Sequence, residues 1–186
     1  MYQEISSNIR KSYALLFVFF VVVALLGYAL GAFYGDPYVG LTLALIISFF
    51  YTLFSFFAGD SLILNINGAR PATKKEFPYL VNTVEGLAIA AGIQTPRIFV
   101  IDDTAINAFA TGRSPERAAI TVTTGCLQRL NRQELEGVVA HEMAHIKNYD
   151  IRYMMLVVML VGITLLLSDI LLRSLFYGGG RRDRGK

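Results

Sequence analysis

Charge is missing from two long stretches of this chain. Residues 13–34 and 38–57 contain no Asp, Glu, Lys or Arg. Each run is about long enough to cross a hydrocarbon core of roughly 30 Å as a helix. The chain has 186 residues, 54% of them apolar. Its mean hydropathy is +0.50. That is the composition of a membrane protein carrying one modest polar domain. A cleaved secretory signal is the competing reading of the first run. The run is too long for the apolar segment of such a signal, no small-residue cleavage site follows, and a second apolar run comes at once.

Cysteine occurs only at Cys126. An internal disulfide is therefore excluded, in agreement with a reducing compartment. Lys and Arg are absent from the connection Gly35-Asp36-Pro37, whereas Arg10 and Lys11 precede the first run and Arg70, Lys74 and Lys75 follow the second. The positive-inside rule then puts the N-terminus and everything after Phe57 in the cytoplasm. The net charge of +3 does not call for nucleic acid. The basic residues cluster beside apolar segments, where the lipid bilayer accounts for them. No repeat of useful length is present. Gly27, Gly31 and Gly35 recur every four residues. That spacing suits close packing of two membrane helices, and it also occurs by ordinary glycine frequency in such helices.

The polar domain begins near Asp60. Apolar residues at 77, 80, 81, 84, 87 and 88 give a helical period over 77–91, which Gly92 stops. Residues 97–101 and 118–122 read as strands, 102–105 as a turn, and 111–116 as a loop. Asn131, with Glu134 three positions on, opens a helix as a capping box. Leu135, Val138 and Val139 are its expected buried face. A third apolar run covers 153–177. Only 153–168 is free of charge, which is short for a full span. Either it is one leg of a hairpin that does not fully cross, or the basic tail beyond it breaks the positive-inside rule. Asp169 and Arg173, four apart on a helix, can neutralise each other.

Histidine is as scarce as cysteine is rare. The only two are His141 and His145, and they frame His141-Glu142-Met143-Ala144-His145. Positions i and i+4 share one helix face, so both imidazoles can point at one ion. Glu142 lies about 100° further round, within reach of a water on that ion. These parts predict a zinc site in which Glu142 takes a proton from water and the resulting hydroxide attacks a peptide carbonyl. The bland alternative is two surface histidines beside an accidental glutamate. A catalytic zinc needs a third protein ligand and one open position. In many such enzymes the third ligand is a glutamate from a later helix, and no glutamate follows Glu142. Asp150 would point away from the histidine face on an unbroken helix, and suits a contact to a ligand or to the helix end. Asp169 lies in the apolar segment, Asp183 in the basic tail, and Glu134 two turns before His141. None is a convincing third ligand.

The sequence resembles the N-terminal portion of the HtpX-type membrane zinc metalloproteases, a heat-shock-associated family. The resemblance covers nearly the whole chain. It rests on the two apolar spans, on Asn107-Ala108-Phe109-Ala110-Thr111-Gly112, on Ala118-Ala119-Ile120-Thr121-Val122-Thr123-Thr124-Gly125, and on His141-Glu142-Met143-Ala144-His145-Ile146-Lys147-Asn148-Tyr149-Asp150. It implies a bacterial inner-membrane protease with its zinc domain facing the cytoplasm, acting on misfolded membrane proteins. It implies one Zn2+ per chain, His141 and His145 as ligands and Glu142 as general base. Asn107, Ala108 and Phe109 would lie at the substrate cleft, where a strand edge pairs with an extended peptide; a plain turn and strand end is the other reading. The family's third ligand is a glutamate on a helix beyond a fourth apolar segment, and this sequence departs from it there. A fragment inactive by itself is therefore the alternative to a complete endopeptidase. A prenyl-protein or other specialised membrane metalloprotease is disfavoured by the spans and by the 107–112 motif.

The fold expected is α+β, membrane-anchored and mainly helical. Residues 1–59 form the anchor, with helices over 13–34 and 38–57. Residues 60–150 form the protease domain, with a small strand pair and a zincin-type helix. That helix runs toward a third apolar helix over 151–177, before a basic, glycine-rich tail at 178–186.

Overall fold

A computed structural model describes residues 2–177; the basic tail at 178–186 lies outside the described residues. The chain divides into two compact units, Met1–Ser12 with Phe56–Met155, and Tyr13–Ser55 with Leu156–Lys186.

The second unit is built from apolar helix. α1 spans Tyr2–Tyr34, α2 Pro37–Ile66 and α6 Asp150–Tyr177, and each is long and apolar enough to cross a membrane. The break between α1 and α2 is local chemistry. Gly35 takes a positive φ of 111°. The Asp36 carboxylate then accepts the Tyr38 and Val39 amides at 2.9 and 3.2 Å, and Pro37 occupies the first helical position, where no donor is lost. Gly27 and Gly31 face α2. A Cβ on Gly40 would stand 2.5 Å from Gly31 Cα, so these glycines set the helix spacing. A Cβ on Gly35, the third glycine of the sequence pattern, would meet nothing within 4 Å. Gly35 makes the turn and is not in the seam. Phe19, Val23, Leu156 and Leu160 form the buried cluster of this unit. Phe17, Phe50 and Leu165 stay 71%, 63% and 64% exposed to the surroundings, a lipid-facing pattern for a membrane protein.

The first unit holds a four-stranded sheet in the order β1-β2-β4-β3. β1 is Arg70–Pro71, β2 Arg97–Ile101, β3 Ala108–Thr111 and β4 Ala119–Thr123. β2 and β4 are parallel, with Phe99 beside Thr121. β1 and β3 flank them antiparallel. Every residue of β4 is buried, as a central strand covered on both faces requires. The strand pair read from the sequence is thus the middle of a wider sheet. β1 is too short to carry a pattern, and 108–111 alternates too little to announce β3. The loop expected over 111–116 starts one residue later, because Thr111 pairs with Ala119.

Three helices pack in this unit. α3 spans Pro78–Ala91, α4 Thr124–Arg129 and α5 Arg132–Lys147. Gly92 ends α3 in the left-handed region at φ 68°. The Asn131 side chain accepts the Glu134 amide at 3.0 Å while the Glu134 carboxylate accepts the Asn131 amide at 2.8 Å. This is the capping box expected from the sequence. Leu135, Val139, Met143 and Ile146 are the buried stripe of α5, packed with Leu80 and Val84 of α3 and Ile120 and Val122 of β4. Val138 is only half-buried, so the stripe follows 135, 139, 143 and 146.

Candidate active site

The burial stripe of α5 leaves the two histidines on its open side. His141 is exposed, and Glu142 and His145 are half-buried. The imidazole rings meet edge to face with centroids 4.6 Å apart, and His145 Nε2 stands 3.1 Å from His141 Nε2. Two nitrogens held by one tetrahedral zinc at about 2.0–2.1 Å stand about 3.3–3.4 Å apart. The pair therefore already has nearly the separation that such an ion requires.

The other nitrogen of His145 is also engaged. His145 Nδ1 is 2.8 Å from Asp150 Oδ2. An ionised carboxylate only accepts, so with Asp150 ionised a neutral His145 would carry its proton on Nδ1 and turn the Nε2 lone pair toward His141. On an unbroken helix Asp150 would turn away. The helix is broken: α5 stops at Lys147, Asn148 caps it, and Tyr149 adopts φ 62°. That left-handed residue, uncommon for a non-glycine, starts α6 in a new direction. Asp150 returns to the histidine face as its first residue.

Asp150 has a further partner from the far end of the chain. The Asn8 side-chain amide donates to Asp150 Oδ1 and to the Asn148 carbonyl at 3.1 Å. Lys11 Nζ donates to Asn8 Oδ1 at 3.4 Å. The start of α1, expected to belong to the anchor, groups with the polar unit for this reason. Sequence reasoning missed Asn8, and no local signal could reveal a partner 140 positions away.

Asn107, Ala108 and Phe109 lie at the start of β3, an end strand of the sheet, which packs against α5. The segment before it is fixed by Thr123. Its hydroxyl donates to the Ala105 carbonyl at 2.6 Å and accepts the Asn107 amide at 3.1 Å, while the Thr123 amide donates to the Asn107 carbonyl at 3.0 Å. Thr123 also caps α4 through the Cys126 amide. A Cβ on Gly125 would stand 2.4 Å from the Thr104 and Ala105 carbonyls, so the 103–107 segment crosses α4 only because glycine is there.

The remaining carboxylates weighed as a third ligand are otherwise engaged. Asp150 meets Nδ1 of His145, not the Nε2 side. Glu134 closes the capping box. Asp169 accepts Arg173 Nε at 2.7 Å, the neutralisation expected from their spacing. Asp183 lies outside the described residues. Among the described residues no three His, Cys, Asp or Glu converge as a metal site.

A buried stripe, two converging imidazoles and an adjacent glutamate on one capped helix are the parts found in metallopeptidases, in a chain that also holds three helices long and apolar enough to cross a membrane. The chain belongs to peptidase family M48, whose pattern matches residues 74–182. It is similar to the protease HtpX homologue of Dictyoglomus thermophilum, at 44% identity over 98% of this chain and 60% of that protein. It is also similar to the protease HtpX homologue of Streptococcus pyogenes serotype M49, at 46% identity over 96% of this chain and 60% of that protein. The chain therefore spans about 60% of the length of these curated relatives.

Proposed function

We propose that His141 and His145 hold one zinc ion and that Glu142 is the general base of a membrane endopeptidase. The observation that carries this reading is the 3.1 Å approach of the two Nε2 atoms, with Nδ1 of His145 2.8 Å from Asp150 Oδ2. When bound, zinc supplies Lewis acidity, polarising a peptide carbonyl and making water a better nucleophile at neutral pH. The protein's own residues do the rest. Asp150 fixes the ring of His145. The Glu142 carboxylate takes a proton from the attacking water and delivers it to the departing amine. The open edge of β3, at Asn107, Ala108 and Phe109, pairs with the backbone of an extended substrate. Backbone pairing does not read side chains, which suits misfolded or membrane-protein substrates and a role in proteolytic quality control.

The same reading places the site on the cytoplasmic face of a bacterial inner membrane. Arg10 and Lys11 at the start of α1, and Arg70, Lys74 and Lys75 after α2, favour that side. The Asn8–Asp150 hydrogen bond supports it too, because it holds the start of α1 beside the site.

Two imidazoles bind zinc less firmly than a three-residue set, and among the described residues no third His, Cys, Asp or Glu joins them. This favours a second reading, in which these residues alone bind metal weakly and do not cleave. Casein hydrolysis by the purified chain with added zinc separates the two. Cleavage that needs zinc and is lost in Glu142→Gln supports the endopeptidase. Zinc bound without any cleavage supports the second reading, and cleavage that survives Glu142→Gln overturns the assigned mechanism.

A further inference from the structure

We infer that Asn8 is a positioning residue for the metal site: its amide holds Asp150, and through Asp150 the ring of His145. The inference rests on the reading of His145 as a zinc ligand. Asn8 is only 9% exposed, and every part of its side chain is used. The two hydrogens of Nδ2 go to Asp150 Oδ1 and the Asn148 carbonyl, and Oδ1 accepts from Lys11. The amide can face only one way. Flipped, its oxygen would meet a carboxylate and a carbonyl, both acceptors, and its NH2 would meet an ammonium.

The consequence for the site follows from the two oxygens of Asp150. Oδ1 takes Asn8 and Oδ2 takes His145, so the carboxylate is held at both ends. Without the Asn8 donor it can rotate, and Oδ1 is left partly buried without a strong donor. His145 Nδ1 then loses a fixed acceptor, and the ring can place its proton on Nε2, the atom that must be free for metal. Asn148 and Tyr149, where the backbone turns from α5 into α6, are held by the same amide through the Asn148 carbonyl. The first turns of an apolar helix thus support a site on the opposite end of the sequence.

The test uses the whole chain in detergent, labelled with [15N]histidine, without metal and at about pH 8, above the ordinary imidazole range. Only two histidines contribute. His145 is expected to show the Nδ1-protonated tautomer. Asn8→Leu and the isosteric Asn8→Asp are expected to move both nitrogen signals of His145 toward the averaged position of a tautomer mixture, and to weaken zinc binding roughly tenfold. Asn8→Asp/Asp150→Asn reverses donor and acceptor across the pair and is expected to bring the His145 signals back toward the original tautomer. An unchanged tautomer in both single variants, with only a lower melting temperature, makes Asn8 a tether between helices and overturns the proposal. The tautomer is read without metal. Zinc that stays bound in His145→Ala therefore sinks the zinc reading and leaves the Asn8 coupling to be judged by its own spectrum.

Discussion

His145 and Asp150 are hydrogen-bonded at 2.8 Å across a break between two helices. The break at Tyr149 converts a carboxylate that helical spacing sends away into one that fixes the histidine ring. The interaction serves His145 through the nitrogen that does not face His141.

Asp150→Ala is therefore expected to leave the fold intact and to weaken zinc binding by about 10- to 100-fold, the usual loss when a ligand's orienting partner is removed. Zinc competition titration with helix content by circular dichroism checks both parts. Unchanged affinity would mean that Asp150 only caps α6.

Glu142→Gln keeps size and shape but cannot accept a proton. Zinc affinity should remain near that of the original chain, because Glu142 is not one of the converging pair. Any zinc-dependent casein cleavage should fall by at least about 100-fold, within the range for a missing general base.

Thr123→Val preserves volume and removes the hydroxyl that ties Ala105, Asn107 and Cys126 together. A cost of about 1–3 kcal/mol is expected from the stranded amides and carbonyls. Faster protease nicking of the 103–107 segment, with zinc affinity unchanged, would place the effect in that segment and not at the metal site.

Gly40→Leu probes the apolar unit. Its Cβ would stand 2.4 Å from the Gly27 carbonyl oxygen and 2.5 Å from Gly31 Cα, both backbone, so the helices must separate. A loss of roughly 1–3 kcal/mol or more is expected, read as a lower melting temperature in detergent. Gly35→Asn should instead act through backbone strain at φ 111°, without forcing the helices apart, since a Cβ there would meet nothing within 4 Å.

Much of this architecture is legible in the sequence where the signal is local. Charge-free runs, the Asn131–Glu134 capping box and the His141–His145 spacing each declare themselves within a few residues. What stays hidden is what depends on distant partners. β3 becomes a strand because Ala108–Thr111 finds β4, not through its own alternation. Asp150 joins the site because Tyr149 takes a left-handed turn that no glycine announces. Asn8 sits in an unremarkable polar stretch before an apolar run, and only the folded chain brings it to Asp150. Gly35 fits the small-residue spacing of α1 yet serves as the turn, since periodicity does not mark where a helix stops.

Zinc binding at His141 and His145 is the step on which the assigned chemistry depends. The direct measurement is zinc stoichiometry by competition titration on the purified chain, on Glu142→Gln, and on His141→Ala/His145→Ala. One zinc per chain in the first two and none in the double variant is the predicted result. Equal binding by the chain without both histidines would contradict it.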